Sequence, residues 1–521
     1  MISRHCFRLC VLTLICPAWA MAEEAKPPLP AKLPLTGLAP AKLVPDLCLT
    51  TYRVSTTSPE CQAFFDQGLG FFYSYAWMEA ARSFETAAGY DPDCAMAWWG
   101  LSRAIERWGR GKHLPALEKA QQLLSQASDR EQMLITSRLQ LKEVIPPTAN
   151  QTAKQLAAKT LDELLILYHD DEEAWFNRAQ LAETREAAVP YYLALLRINP
   201  LHAGANHELV HFYERHKRPA LGWIYAENYI RSSPGLPHAF HMQAHLAMRL
   251  GRWDKTTDRS AKAIELQQAY HKFMNVQPKE DWQYSHHLET LTISLVHDGR
   301  FQEARAIKAE SWRCGYRHWL PWFQLHLAER DYDEAAKIVE EHRNRDKITA
   351  AYLSALLSLH KEDVDRAKAE VEVLQQAFQK NKKDARLELR LLHAQGVLMC
   401  HMGDADAGLK LLARTVERTI NDYAQHAWGH GAYYMEAWGL AALRAGNVGI
   451  AEEAFQEALA HDPGSVRGAL GMQVLCERLG RVEEAERYAR RAQRCWAKAD
   501  PGMLEKELAA LRDSCGVAAV D

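Results

Sequence analysis

Positions 34 residues apart repeat the same short phrase. Gly446-Asn447-Val448 returns as Gly480-Arg481-Val482, each followed by an Ala/Glu-rich stretch, and Pro200 and Pro234 share the interval. From Cys61 onward, apolar residues recur at three- and four-residue spacing with little β alternation, so helices fill the period. A helix–turn–helix unit of this size cannot bury its apolar face alone, and units must stack. An all-α solenoid follows, and 521 residues leave room for many units rather than one core.

The first complete unit, Cys61 to Cys94, carries Phe64, Gly68, Phe71, Ala80, Phe84, Ala87 and Pro92. Small Gly68 and Ala80 let helices approach, Phe84 fills the gap, and Pro92 stops the second helix. On these positions the chain resembles the tetratricopeptide-repeat (TPR) family, with Phe64 and Phe71 as aromatic swaps. The resemblance implies a right-handed superhelix whose concave groove binds a protein or peptide. Similar units start near Gly251, Gly299, Asp331 and Gly403, at irregular separations that imply longer helices or insertions, particularly over Gln267 to Asp281.

The N-terminus reads differently. Arg4, His5 and Arg8 precede a short apolar run from Leu9 to Trp19, and Ala20-Met21-Ala22 supplies a cleavage site. Residues 1–22 are therefore expected to be a secretory signal, and the chain exported, periplasmic or secreted. Bulky Ile15 argues against a lipid anchor on Cys16, and no later segment is an uninterrupted apolar span. Residues 23–58 form a Pro-rich, extended, poorly ordered leader. TPR-like units are expected over 59–200, His-rich central units over 201–300, and further units with a capping helix over 301–515. A net charge of −3, from 63 basic and 66 acidic residues, gives no reason to expect nucleic acid as partner. Without a C-x-x-C pair, a zinc ribbon or thioredoxin-type site has no support. Export permits disulfides, with Cys48–Cys61 and Cys495–Cys515 nearest in sequence, and buried free cysteines are the alternative.

Histidine concentrates between His207 and Glu289, where nine fall. Counting back from the turn glycines gives their register. His238, His241 and His245 lie 13, 10 and 6 residues before Gly251, and His286 and Glu289 lie 13 and 10 before Gly299. One period earlier, His207 and His211 take the last two of these places. The columns read Gly204/His238/His286, His207/His241/Glu289 and His211/His245/Ile293, while His216, His271 and His287 fall outside as surface or packing residues. Spacings of three and four put each set on one helix stripe, and neighbouring helices stack about 8–10 Å apart. The segments His207, His211, Glu214 and His238, His241, His245 also resemble a group of exported bacterial TPR proteins with H-x-x-x-H-x-x-E and H-x-x-H-x-x-x-H segments. Glu289 departs from that pattern, where the resemblance implies histidine.

Three readings of the cluster stay open. One is a metal centre drawn from His207, His211, Glu214, His238, His241, His245, His286 and Glu289, with neutral imidazole and carboxylate suiting zinc, copper, iron or manganese. The second is a metal-free polar groove for a peptide or small ligand. The third is packing histidines. His207-Glu208-Leu209-Val210-His211 also spells the zincin pentapeptide, which makes Glu208 a candidate general base of a metal-dependent hydrolase; an oxidoreductase could use the same cluster. No strand signal flanks the pentapeptide, although zincins present this helix beside a sheet. His426 and His430 form a weaker pair, and Tyr284, Trp253 and Trp282 are candidates to wall the groove.

Overall fold

The computed structural model describes residues 29–148, 150–216, 218–421 and 432–514. The expected signal, the start of the leader, His426, His430 and Cys515 lie outside the described residues. Within them the chain forms twenty-five α-helices and two short 3-10 turns, with no strand. Successive helices pair as hairpins, among them Pro59–Tyr73 with Trp77–Tyr90 and Pro237–Arg249 with Trp253–Met274. The first helices of consecutive hairpins also pack on one another, which the second helices do not do to the same extent, so the first helices form the inner layer.

The repeated glycine phrase is a helix terminator. Gly251, Gly299, Gly403, Gly446 and Gly480 all have left-handed backbone, with φ between 65° and 89°. At Gly251 the amide of Arg252 donates to Ala247 O at 2.9 Å and the Gly251 amide to Met248 O at 3.1 Å. This double bond pattern satisfies the last carbonyls of the first helix and aims the second back along it. The irregular spacing after Gly251 comes from Trp253–Met274, a helix of 22 residues. Asn275, also left-handed at φ 55°, ends it.

Helix packing follows the small-residue positions. A Cβ on Gly68 or Gly100 would sit 2.7 Å from the Phe84 ring, and one on Gly439 2.7 Å from the Phe455 ring. At the far end, Val482–Cys495 buries only Ala485 and Ala492. That helix and Met503–Ser514 cap the stack with a mostly polar outer face.

The array closes on itself twice. Residues 29–58 are extended, as their prolines demand, but they are not a loose leader. Leu33, Leu47, Tyr52 and Val54 are buried, Glu85 accepts from the amides of Leu35 and Thr36, and Leu49 N donates to Ser232 O. The turn after Pro59–Tyr73 meets the Ala203–Arg215 and Trp282–His297 helices. In the second half, Trp253 Nε1 donates to Asp462 at 3.0 Å, Trp496 Nε1 to His297 O at 2.8 Å, and Asp500 N to Gly299 O at 2.9 Å. The last units thus clasp the middle of the chain.

Candidate metal centre

Three inner helices, Ala203–Arg215, Pro237–Arg249 and Trp282–His297, carry the histidine columns side by side. Spacing by four puts His207 and His211 rings 4.8 Å apart and His241 and His245 rings 4.3 Å apart. The columns then meet across helices. His207 and His238 rings lie at 4.8 Å, His241 and His286 at 4.7 Å.

Two groups result. His207, His211 and His238 each offer a nitrogen, all within 4.8 Å of one another; His241, His245 and His286 do the same. In the first group His207 Nδ1 donates to Tyr73 O at 2.6 Å, which leaves Nε2 with its lone pair facing His238 Nε2 at 3.1 Å. Two nitrogens bound tetrahedrally at ~2.05 Å would be roughly 3.3 Å apart. His238 Nδ1 accepts from Gln283 Nε2 at 3.3 Å, and the same amide donates to Ser74 O. Neutral His238 therefore carries its proton on Nε2 and donates it to His207 Nε2; ligation through His238 Nε2 takes the other tautomer. In the second group His245 Nδ1 donates to Glu214 Oε1 at 2.9 Å. At this site, among the described residues, four buried imidazole nitrogens have no hydrogen-bond partner: His211 Nε2, His241 Nδ1, His245 Nε2 and His287 Nε2.

Glu214 is nearly fully buried and serves both groups. Its Oε2 faces His211 Nδ1 at 3.4 Å, and its Oε1 takes His245 Nδ1 and the Arg249 guanidinium at 3.0 Å. Both oxygens are turned to Nδ1 atoms, the arrangement of a carboxylate that orients ligand histidines. Glu289 lies at the rim, 3.9 Å from His286 Nδ1 and one-third exposed. Glu208 stands apart from both groups, accepting from Tyr75 OH at 2.8 Å and Gln180 Nε2 at 3.2 Å.

Burial sets the charge state. It pushes His207, His238, His241 and His287 well below the usual imidazole value, and neighbouring imidazoles add to the shift. Burial lowers His245 too, against the pull of Glu214. Burial alone would raise Glu214, but His245, His211 and Arg249 outweigh it and keep the carboxylate ionised. His207, His238, His241, His245 and His287 are thus held neutral beside one anchored carboxylate, and neutral imidazole is the form that ligates a metal.

His211, His238, His241, His245 and His286 line a concave cavity of about 1160 Å³, with Trp77 and Trp282 near its mouth. Trp282 therefore does wall the groove; Trp253 and Tyr284 instead belong to the core. His216 pairs with Glu186 on the surface and His271 with Asp281. His287, which falls outside the columns, is fully buried, with ring centroids 4.2 Å from His241 and 6.0 Å from His238. Its Nδ1 is held by Gln267 at 2.7 Å.

Tyr75 carries no signal in the histidine pattern, yet its ring lies 4.4 Å from His207 and stacks on His211 at 5.8 Å. Its backbone is left-handed, φ 58°, and the Tyr75 and Ala76 amides make the same paired bonds that glycines support in later units. A tyrosine thus fills a glycine slot, and that substitution is the trace it leaves in the sequence. Among the thiols, Cys61 hydrogen-bonds Cys94 rather than Cys48, whose sulfur sits against Gly70.

Residues 65–129 and 436–502 match the family model for the tetratricopeptide repeat. Helical hairpins of the same kind run between these stretches. No curated protein matches the chain. Solved structures with a related course include yeast Tom70, at 13% identity and TM-score 0.34, over 88% of this chain and 95% of that one. Another is the APC/C hetero-tetramer Cut9–Hcn1, at 14% identity and TM-score 0.32, over 80% of this chain and 76% of that one.

Proposed function

We propose that this protein is an exported TPR-type binding protein that holds a transition metal in its groove and receives a protein or peptide segment in the adjoining cavity. The observation that carries the metal reading is the convergence of buried, unpartnered imidazole nitrogens with two three-histidine groups. A buried polar atom without a partner costs about 1–3 kcal/mol, and several at one point call for a common ligand. The outer contacts support the same reading. Tyr73 O and Glu214 each hold a histidine through Nδ1 and leave Nε2 turned inward, as metal sites commonly do. All-imidazole donors suit zinc or copper, and iron or manganese where Glu289 joins.

Elemental analysis of the purified full chain tests this, with His207→Ala and His241→Ala beside it. Stoichiometric metal in the parent chain, reduced by each substitution in protein that keeps its helical signal, is the expected result. Metal-free parent protein that takes up neither zinc nor copper on titration would overturn it.

A further inference from the structure

The six imidazoles are too spread out to share one ion. His207, His211 and His238 gather where Ala203–Arg215 faces the first turn of Pro237–Arg249. His241, His245 and His286 gather one turn further on, where Pro237–Arg249 faces Trp282–His297. The groups adjoin through His238 and His241, whose ring centroids are 5.6 Å apart, close to the 5.5 Å of His245 and His286, but the ligand nitrogens gather within 4.8 Å only as two separate threes. Each group therefore has its own focus. Three nitrogens suffice for a zinc or copper site that keeps one position open.

From this geometry, and resting on the metal reading above, we infer that the centre holds two transition-metal ions, one per three-histidine group, with the Glu214 carboxylate linking them from outside the ligand shell. Glu214 orients one ligand of each group, His211 through Oε2 and His245 through Oε1. Arg249 fixes the carboxylate in turn by two nitrogens on Oε1, at 3.1 and 3.0 Å. One carboxylate thus sets the ring direction at both ions. Five of the six histidines line the same cavity, so the open position of each ion faces a shared space. Two divalent ions among neutral ligands leave an excess positive charge there, which an incoming anionic group would offset.

The test is stoichiometry. The full chain is stripped with chelator, saturated separately with zinc and with copper(II), freed of unbound ion by gel filtration and analysed for metal. Two ions per chain are expected, falling to one in His207→Ala, one in His286→Ala and none in the double variant. Glu214→Gln should weaken both ions by about 10–100-fold rather than remove one. A folded parent chain that saturates at one ion overturns the two-ion centre and leaves the metal reading standing. No bound ion overturns both. Two ions that persist in His286→Ala put the second ion elsewhere and also overturn the inference. The parent stoichiometry decides the matter even where a variant fails to fold.

Discussion

At the residue scale, the instructive position is Tyr75. Left-handed backbone costs a non-glycine residue about 1–2 kcal/mol, and among the described residues six other turns with these paired bonds use glycine, at Gly251, Gly299, Gly315, Gly403, Gly446 and Gly480. Here the ring it carries covers His207 and His211 and its hydroxyl holds Glu208. Glu362 has the same backbone, φ 60°, with an exposed side chain. Glycine should therefore have opposite effects at the two sites. Glu362→Gly is expected to stabilise by up to about 1 kcal/mol, and Tyr75→Gly to destabilise by about 2–4 kcal/mol, read by denaturant unfolding. Glu208 offers a second check. Because it is engaged by Tyr75 and Gln180 and belongs to neither histidine group, Glu208→Gln should leave metal content unchanged; a lost ion would make it a ligand. The six histidines were legible because a repeat converts spacing into direction. Tyr73 O was not, since it reaches His207 from 134 residues away and a backbone carbonyl has no sequence signature. His287 was missed for a different reason: it lies about 100° around its helix from His286, on a face that only the neighbouring helix makes relevant.

At the scale of helices, one packing device recurs. A phenylalanine of the second helix, Phe84 or Phe455, lies between glycines of the two flanking first helices. A methyl on Gly100 would meet Phe84 ring atoms at 2.7 Å, and an aromatic ring held on both sides cannot swing clear. Gly100→Ala is expected to destabilise by about 1–3 kcal/mol, while the equivalent change at Gly449, which has open space around it, should be neutral or slightly stabilising by helix propensity. Thermal unfolding of the two variants separates the cases. This level was the most readable from sequence, because turn glycines, small contact residues and apolar spacing are all local. The 22-residue helix after Gly251 registered only as a break in the period, because its length is set by what it packs against.

For the whole molecule, the second half rests on buried neutral histidines. Burial depresses His393 to about 3 and His326 to about 4, and both side chains are almost inaccessible. A depressed folded value means stability that is present above the ordinary imidazole value and lost as pH falls towards the folded one. Between about pH 6.5 and 4, the unfolded chain takes up protons that the folded one refuses, each costing about 1.4 kcal/mol per pH unit. Denaturant unfolding at pH 7, 5.5 and 4.5 should show this decline, and His393→Gln should reduce its slope by one proton. The two closures of the array had no sequence signal, since nothing in a local pattern says that Trp253 will meet Asp462 or that Leu49 will meet Ser232.

The first closure has a consequence for when an ion can be captured. During synthesis the whole first group, with Tyr73 and Glu214, is made before the Trp282–His297 helix exists, and only the second group waits for that helix to supply His286. Until then the second group is only the pair His241 and His245, and on the two-ion proposal an ion held by two imidazoles would exchange quickly. On that proposal the second ion would be retained only once residues from Tyr73 to His286 share one folded body. The finished fold, rather than the first ion encountered, would then decide which metal the second group keeps.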